Sequence, residues 1–293
     1  MSTPESSTPK SRRNGSRPNG PRRGAAAWFL ARWTLVGAIW TGFLAVLFLA
    51  WCAYDLPGPE RLNELKRRPS VTLLAADGSL IASYGDLFGD AVRLADLPPY
   101  LPAAVLATED RRFYDHFGLD LRGIARAIYV NVTEGEVIQG GSTITQQVAK
   151  NLFLTPERSL HRKGQEMLLA LWLERTFTKD EILELYLNRV YFGAGTYGVD
   201  AAARKYFGRP AREVSIFEAA MLAGMLKAPS RYNPLNDKEL AKARGRLVIA
   251  SMVATGQLTE AEAQAISEAS APSVSTQAKN QIGQHFADWV IDQ

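Results

Sequence analysis

The sequence predicts a mainly helical domain, opened by a small β-hairpin and preceded by one membrane-spanning helix. Three observations carry this. An uncharged run of 22 residues, Trp33 to Tyr54, follows a basic N-terminus. Two short apolar runs flank Asp77-Gly78, and from Pro102 onward the pattern turns helical behind S/T-x-x-E capping signals, with few strand-like alternations. At 293 residues, 46% hydrophobic and 22% charged, the chain has the material for a sizeable core in one or two domains.

Residues 1–32 are rich in Ser, Pro, Gly and Arg, and set Lys10, Arg12, Arg13, Arg17, Arg22, Arg23 and Arg32 against Glu5 alone. They read as a disordered basic tail. Residues 33–54 form the span, since a helix of that length rises roughly 33 Å, enough to cross a bilayer core. Trp33, Trp51 and Tyr54 stand near its ends, where amphipathic rings favour the interface, and the basic tail puts the N-terminus in the cytoplasm. A cleaved signal peptide fits less well: the apolar run is long and no small-residue cleavage site follows it. Cys52, the lone cysteine, allows no intramolecular disulfide and reads as an apolar member of the span. With the tail set aside, the external part is slightly acidic, so nucleic acid is not an expected partner.

Residues 55–70, with "LPGP", read as a linker, and residues 71–265 as the folded domain. In "VTLLAADGSLIASYG" the Asp77-Gly78 pair predicts a hairpin with a type I′ turn. Thr178 with Glu181, Ser215 with Glu218, and Thr259 with Glu262 each make a capping box ahead of an apolar helical run. "EMLLALWLERTF" is apolar nearly all round and belongs in the centre of a domain. Just before it, i,i+4 spacing stacks Arg162 and Glu166 on one helix face. Residues 266–293 read as a Ser/Ala-rich linker or the start of a following element.

Several motifs mislead. "GAGTYG", Gly193 to Gly198, fits G-x-G-x-x-G but follows a capped amphipathic helix instead of a strand, so no nucleotide cofactor is expected. "STPK" at Ser7 to Lys10 fits S-x-x-K but lies in the tail with no K-T-G downstream. His116, His161 and His285 lack metal-ligand spacing, and no serine sits in G-x-S-x-G.

The chemistry concentrates elsewhere. "LATEDRRFYDHFG" places adjacent acids, Glu109 and Asp110, among apolar and aromatic neighbours, read as the start of a helix. Desolvation there raises a carboxyl pKa toward what a general acid or base needs, although a dipole-favoured N-terminal acid would look the same. "QGGSTITQQVAKN" at residues 139 to 151 is a Gly-led hydroxyl and amide loop that also fits a turn and helix N-cap. Lys150, Arg158, Arg162 and Lys163 follow, and backbone N–H groups beside several cations suit a phosphate-bearing ligand. Just outside a span, that phosphate points to a lipid.

"EDRRFYDHFG", "GGSTITQQ", "RKGQE" and "KDEILELYLN" resemble, in order, the first four motifs of the bacterial peptidoglycan glycosyltransferases. These are the wall-polymerising modules of class A penicillin-binding proteins and of the monofunctional transglycosylases. "VYFGAGTYGVDAAARKYFG" is similar too, and the likeness covers roughly Leu73 to Gly256. The fifth motif departs: where the family usually has paired arginines, this chain has "RGRLVI", with Gly245 after Arg244.

The resemblance implies a lysozyme-like, mainly helical fold and the polymerisation of lipid II, with inversion at the donor MurNAc C1 and release of undecaprenyl pyrophosphate. It makes Glu109 the general base and Glu166 the second catalytic glutamate, which organises the cations or a divalent ion, Mg or Mn. It implies that Asp110, Ser142, Thr143, Gln147, Lys150, Arg158, Arg162 and Lys163 bind substrate, and that Phe113 and His116 shape the pocket. Residues 117–138 correspond to a mobile flap, whose "GIARAIYVNV" suits a membrane surface. The implied partners are lipid II, the growing glycan strand, membrane lipid and other cell-wall synthesis proteins, at the inner membrane with the catalytic domain outside. The alternative is a lysozyme-like, peptidoglycan-cleaving enzyme, which has no need of the cation cluster. A noncatalytic anchored scaffold would have no need of the acids.

Overall fold

The computed structural model describes residues 23–56, 71–74, 80–84, 87–88, 91–135, 140–154, 157 and 159–268. The chain divides into two compact units, Met1–Trp51 and Cys52–Gln293.

Helix α1 is Arg23–Tyr54, and its Trp28–Tyr54 portion is long and apolar enough to cross a membrane. It begins before the uncharged run and carries Arg32 within it, so part of the segment expected to be a disordered tail is helical. Ala25, Ala26 and Ala27, the strongest helix formers, lie in that extension. Trp33, Leu35, Ile39, Trp40, Phe43 and Leu44 are all exposed, the surface expected of a helix solvated by lipid.

In the larger unit, β1 (Val71–Leu74) and β2 (Leu80–Tyr84) pair antiparallel as the sequence predicts, with an irregularity at Leu73/Leu74. The Asp77-Gly78 turn lies outside the described residues. Helix α2 is Tyr100–Glu109, α3 Leu121–Glu134, α4 Ile144–Phe153, α5 Leu160–Thr176 and α6 Lys179–Arg189. There follow α7 Val199–Phe207, α8 Ile216–Met225, the short α9 Pro229–Tyr232, α10 Lys238–Ala254 and α11 Glu260–Glu268.

The capping signals do what they predict. Thr178 and Ser215 form complete boxes with Glu181 and Glu218, and Thr259 and Glu262 exchange the same reciprocal bonds ahead of α11. Each satisfies N–H groups that a helix start leaves unpaired, a contribution of about 1 kcal/mol apiece.

Two groups of helices build the core. α8 packs against α10 and α2, and α4 packs against α5 and α6. Leu101, Phe113, Ile144, Leu173, Ile182, Leu187, Phe192, Tyr206 and Met221 are essentially inaccessible in one continuous cluster. The approach to α2 is fixed from α6: the Asn188 amide bonds both Val92 N and Val92 O, and Glu184 accepts from Leu94 N.

"GAGTYG" is a hairpin. β4 (Tyr191–Gly193) and β5 (Thr196–Tyr197) pair antiparallel through Ala194 and Gly195, whose φ values of 50° and 70° are those of a tight primed turn. β3 (Leu87–Phe88) joins β5 in parallel, giving the order β3-β5-β4. This sheet is absent from the sequence expectation because strands of two or three residues carry no readable alternation. Cys52 is fully buried in the larger unit, with Sγ 3.6 Å from the His161 carbonyl, as suits a small apolar residue with a weak donor.

Candidate active site

Glu109 is the last residue of α2, not the first turn of a helix as the sequence suggested. The chain leaves the helix at Asp110, whose φ of −155° and ψ of 80° are not helical. A helix C-terminus disfavours a carboxylate, which reverses the electrostatic sense of the expected N-terminal acid. Burial pushes the Glu109 carboxyl above its ordinary range, and neighbouring Asp110 adds to this. Gln147, Arg244 and Lys227 pull the other way. Gln147 Nε2 donates to Glu109 Oε2 at 3.0 Å, while Gln147 Oε1 accepts from the Tyr186 hydroxyl at 3.1 Å.

Asp110 is turned into the fold. Its carboxylate accepts from Ile144 N at 3.0 Å, a free N–H of the α4 N-terminus, and lies 3.0 Å from His116 Nε2. His116 Nδ1 is buried with no hydrogen-bond partner. Phe113, 1% exposed, meets the His116 ring edge-on and carries Lys179 Nζ 4.4 Å above its own ring. Phe113 and His116 thus brace the turn behind Glu109.

The loop after the glycines is an N-cap. Thr143 caps α4 in a complete box with Gln146, and its hydroxyl donates to the Gly118 carbonyl at 2.7 Å. That side chain is committed to the fold, which leaves Ser142 as the loop hydroxyl near the cations. Gly141 lies close to α3: a Cβ there would stand 3.3 Å from Ile124 Cγ1 and 3.4 Å from Ile124 Cα, a tight contact that a small shift of Ile124 would have to relieve. Gly140 faces open space on that side.

Lys163 Nζ donates to Ser142 Oγ and to Glu166 Oε2, each at 2.8 Å, so it ties the loop to α5. Arg162 donates to Gln165 Oε1 at 2.9 Å and lies 3.7 Å from Glu157. Lys150, in the last turn of α4, is exposed. Arg158 lies outside the described residues.

These side chains surround one cavity of about 940 Å³. Glu109, Asp110, Ser142, Thr143, Gln147, Lys150, Arg162, Lys163 and Glu166 all line it. So do Arg126, Lys227 and Arg244, which the sequence reading did not place in the site. Arg244 was visible as the surviving arginine of the fifth motif; Lys227 and Arg126 stood in no motif and reach the cavity only through folding. The Arg244 guanidinium stacks 5.1 Å from the Tyr232 ring, and its Nε is buried with no hydrogen-bond partner. A basic wall of this kind opposite a buried carboxylate suits a ligand that carries phosphate and presents a hydroxyl.

The transglycosylase family model matches residues 77–253, which contain every residue lining the cavity. The chain belongs to the transglycosylase family. It is 45% identical over 225 residues to penicillin-binding protein 1A of Aquifex aeolicus, covering 77% of this chain and 31% of that protein. It is 46% identical over 206 residues to penicillin-binding protein 1A of Escherichia coli, covering 70% and 24% respectively. The chain therefore spans 24% to 31% of these relatives' length. The crystal structure of penicillin-binding protein 1A from Haemophilus influenzae aligns over 72% of this chain and 22% of that one, at 26% identity and a TM-score of 0.44.

Proposed function

We propose that this chain is a membrane-anchored peptidoglycan glycosyltransferase that polymerises lipid II. The observation that carries the proposal is the pairing, across one cavity of a transglycosylase-family domain, of a buried carboxylate with raised proton affinity and a cluster of cations. Glu109 takes the proton from the 4-hydroxyl of an acceptor GlcNAc as that oxygen attacks C1 of the donor MurNAc. The C1–oxygen bond to undecaprenyl pyrophosphate breaks, the anomeric centre inverts, and the electron pair leaves with the pyrophosphate.

Charge then builds on the leaving group, and fixed donors aimed at it lower the barrier most. Lys163 and Arg162 on α5, Lys150 on α4 and Arg158 supply them. Ser142 and Glu166 hold Lys163 in place, the second glutamate acting through this lysine. Among the described residues no group of three His, Cys, Asp or Glu could hold a metal ion, and Glu166 is already paired. A Mg or Mn ion would have to share Glu166 with the pyrophosphate oxygens, where it would neutralise their charge, and no step here passes through an ion. No step uses a nucleotide cofactor.

Helix α1 would anchor the domain in the inner membrane with the N-terminus in the cytoplasm, keeping the active site at the bilayer surface where a polyprenyl substrate resides. Exposed Leu121, Ile128, Tyr129 and Val132 on α3, beside Arg122 and Arg126, suit the same surface. A lysozyme-like cleavage is less well supported, because its leaving group is a sugar hydroxyl that needs a proton and not a wall of cations.

The test is to give the detergent-solubilised chain labelled lipid II. Glycan polymer should form, and Glu109→Gln should lower the rate by about 10²–10⁴. Polymer formed equally well by Glu109→Gln, or sugar released from mature wall with none formed from lipid II, would overturn the reading.

A further inference from the structure

Tyr186 of α6 is 1% exposed, and the reaction drawn above gives it no part. Its hydroxyl nevertheless ends 3.1 Å from Gln147 Oε1, and the other end of that amide lies 3.0 Å from Glu109 Oε2. An ionised carboxylate only accepts hydrogen bonds, and a phenol with no other partner must donate its own. A single orientation of the Gln147 amide satisfies all three groups. Turned over, the amide would set its carbonyl oxygen against Glu109, a contact that favours the protonated acid.

We infer that Tyr186 is a positioning residue: through Gln147 it keeps a hydrogen-bond donor on Glu109 and so keeps that carboxylate ionised in a buried place. The inference rests on the reading of Glu109 as the general base.

The surroundings explain why such a device is needed. Burial and the adjoining Asp110 favour the protonated form of Glu109. Arg244 from α10 and Lys227 from the segment after α8 favour the charged form, and the Gln147 bond stands foremost among the influences on that side. Burial raises the Tyr186 hydroxyl well above its ordinary value, helped by Glu109 and Asp110, so it stays a donor wherever Glu109 is ionised. α4 supplies the amide and α6 the phenol, so the proton affinity of a residue at the end of α2 is set by how two other helices pack.

The experiment is the pH profile of kcat/KM for the full chain on labelled lipid II, with wild type, Tyr186→Phe, Gln147→Met and the double variant. Tyr186→Phe should move the acid limb to higher pH. The rate at the foot of that limb should fall on the order of tenfold, what a hydrogen bond to a charged group is worth, with the plateau kept within about twofold. Gln147→Met keeps the chain length without either polar atom and should move the limb the same way, and the double variant should move it no further. It also carries the test should Tyr186→Phe fail to fold. A Tyr186→Phe profile that overlays wild type, or one lowered equally at every pH, overturns the positioning role. Glu109→Gln is run alongside: if it still polymerises, the base assignment itself has failed, a different outcome from an unmoved limb.

Discussion

Gly245 of α10 faces Met221 of α8 so closely that a Cβ on the glycine would stand 2.9 Å from Met221 Cγ. Met221 is fully buried, so one of the two must shift within the core. The glycine in the fifth motif permits this close approach, since a side chain at 245 would push α10, which carries Arg244, away from α8, which leads into Lys227. Gly245→Arg should therefore destabilise the domain by about 1–3 kcal/mol or more through overpacking. Gly245→Ala should fall between, because about 1 kcal/mol of helix propensity offsets a milder clash. Thermal unfolding followed by circular dichroism checks both, with about 2–4 °C expected per kcal/mol. An unchanged midpoint for Gly245→Arg would mean that α10 can shift freely.

Lys163 joins Ser142 and Glu166, yet its side chain is 44% exposed. Glu166, its partner, is only 11% exposed, so Lys163→Ala leaves a nearly buried carboxylate without this partner and should cost about 1–3 kcal/mol in unfolding. Turnover on lipid II should fall by ~100-fold, the loss expected of one preorganised donor at a developing anion. An unchanged kcat for the folded variant would remove Lys163 from the site.

Glu109 carries a stability prediction opposite in sign to its effect on activity. Its folded pKa is raised, chiefly by burial, so its contribution to stability is fully present below the unfolded pKa and is lost as pH rises through the folded one. Glu109→Gln removes the buried charge and keeps an oxygen for the Gln147 donor. At pH 8 the variant should be more stable than wild type by on the order of 1 kcal/mol, the gain shrinking toward pH 4. Paired urea titrations at the two pH values measure it. A difference independent of pH would show that ionisation of Glu109 costs the fold nothing.

What the sequence disclosed follows the range of the interactions involved. The caps at Thr178, Ser215 and Thr259 are each written within four residues and stand in the structure as read, whereas the apolar helix is longer than its uncharged run and starts at Arg23. The β3-β5-β4 sheet joins Phe88 to Tyr197, far apart in the sequence, and nothing local announces it. Within the site, motif matching names the residues but not the direction in which they point. Thr143 and Asp110 read as substrate contacts because they sit in the right strings. Their polar atoms are engaged by Gly118, Gln146, Ile144 and His116. Only the folded chain shows that these motifs are bonded to each other.

The consequence for Asp110 can be measured. At 7% exposure it neutralises a free N–H of α4 and bonds His116, whose Nδ1 is already without a partner. Asp110→Ala would leave the Ile144 N–H and both His116 nitrogens buried and unsatisfied, and each such group costs about 1–3 kcal/mol. The variant should lose about 2–4 kcal/mol in urea unfolding, whereas Asp110→Asn, which keeps an acceptor for Ile144, should lose about half as much. Were Asp110 mainly a substrate contact, Asp110→Ala would unfold near the wild-type midpoint and its KM for lipid II would rise with the melt unchanged. The urea midpoint and the KM, taken on the same preparation, separate the two roles.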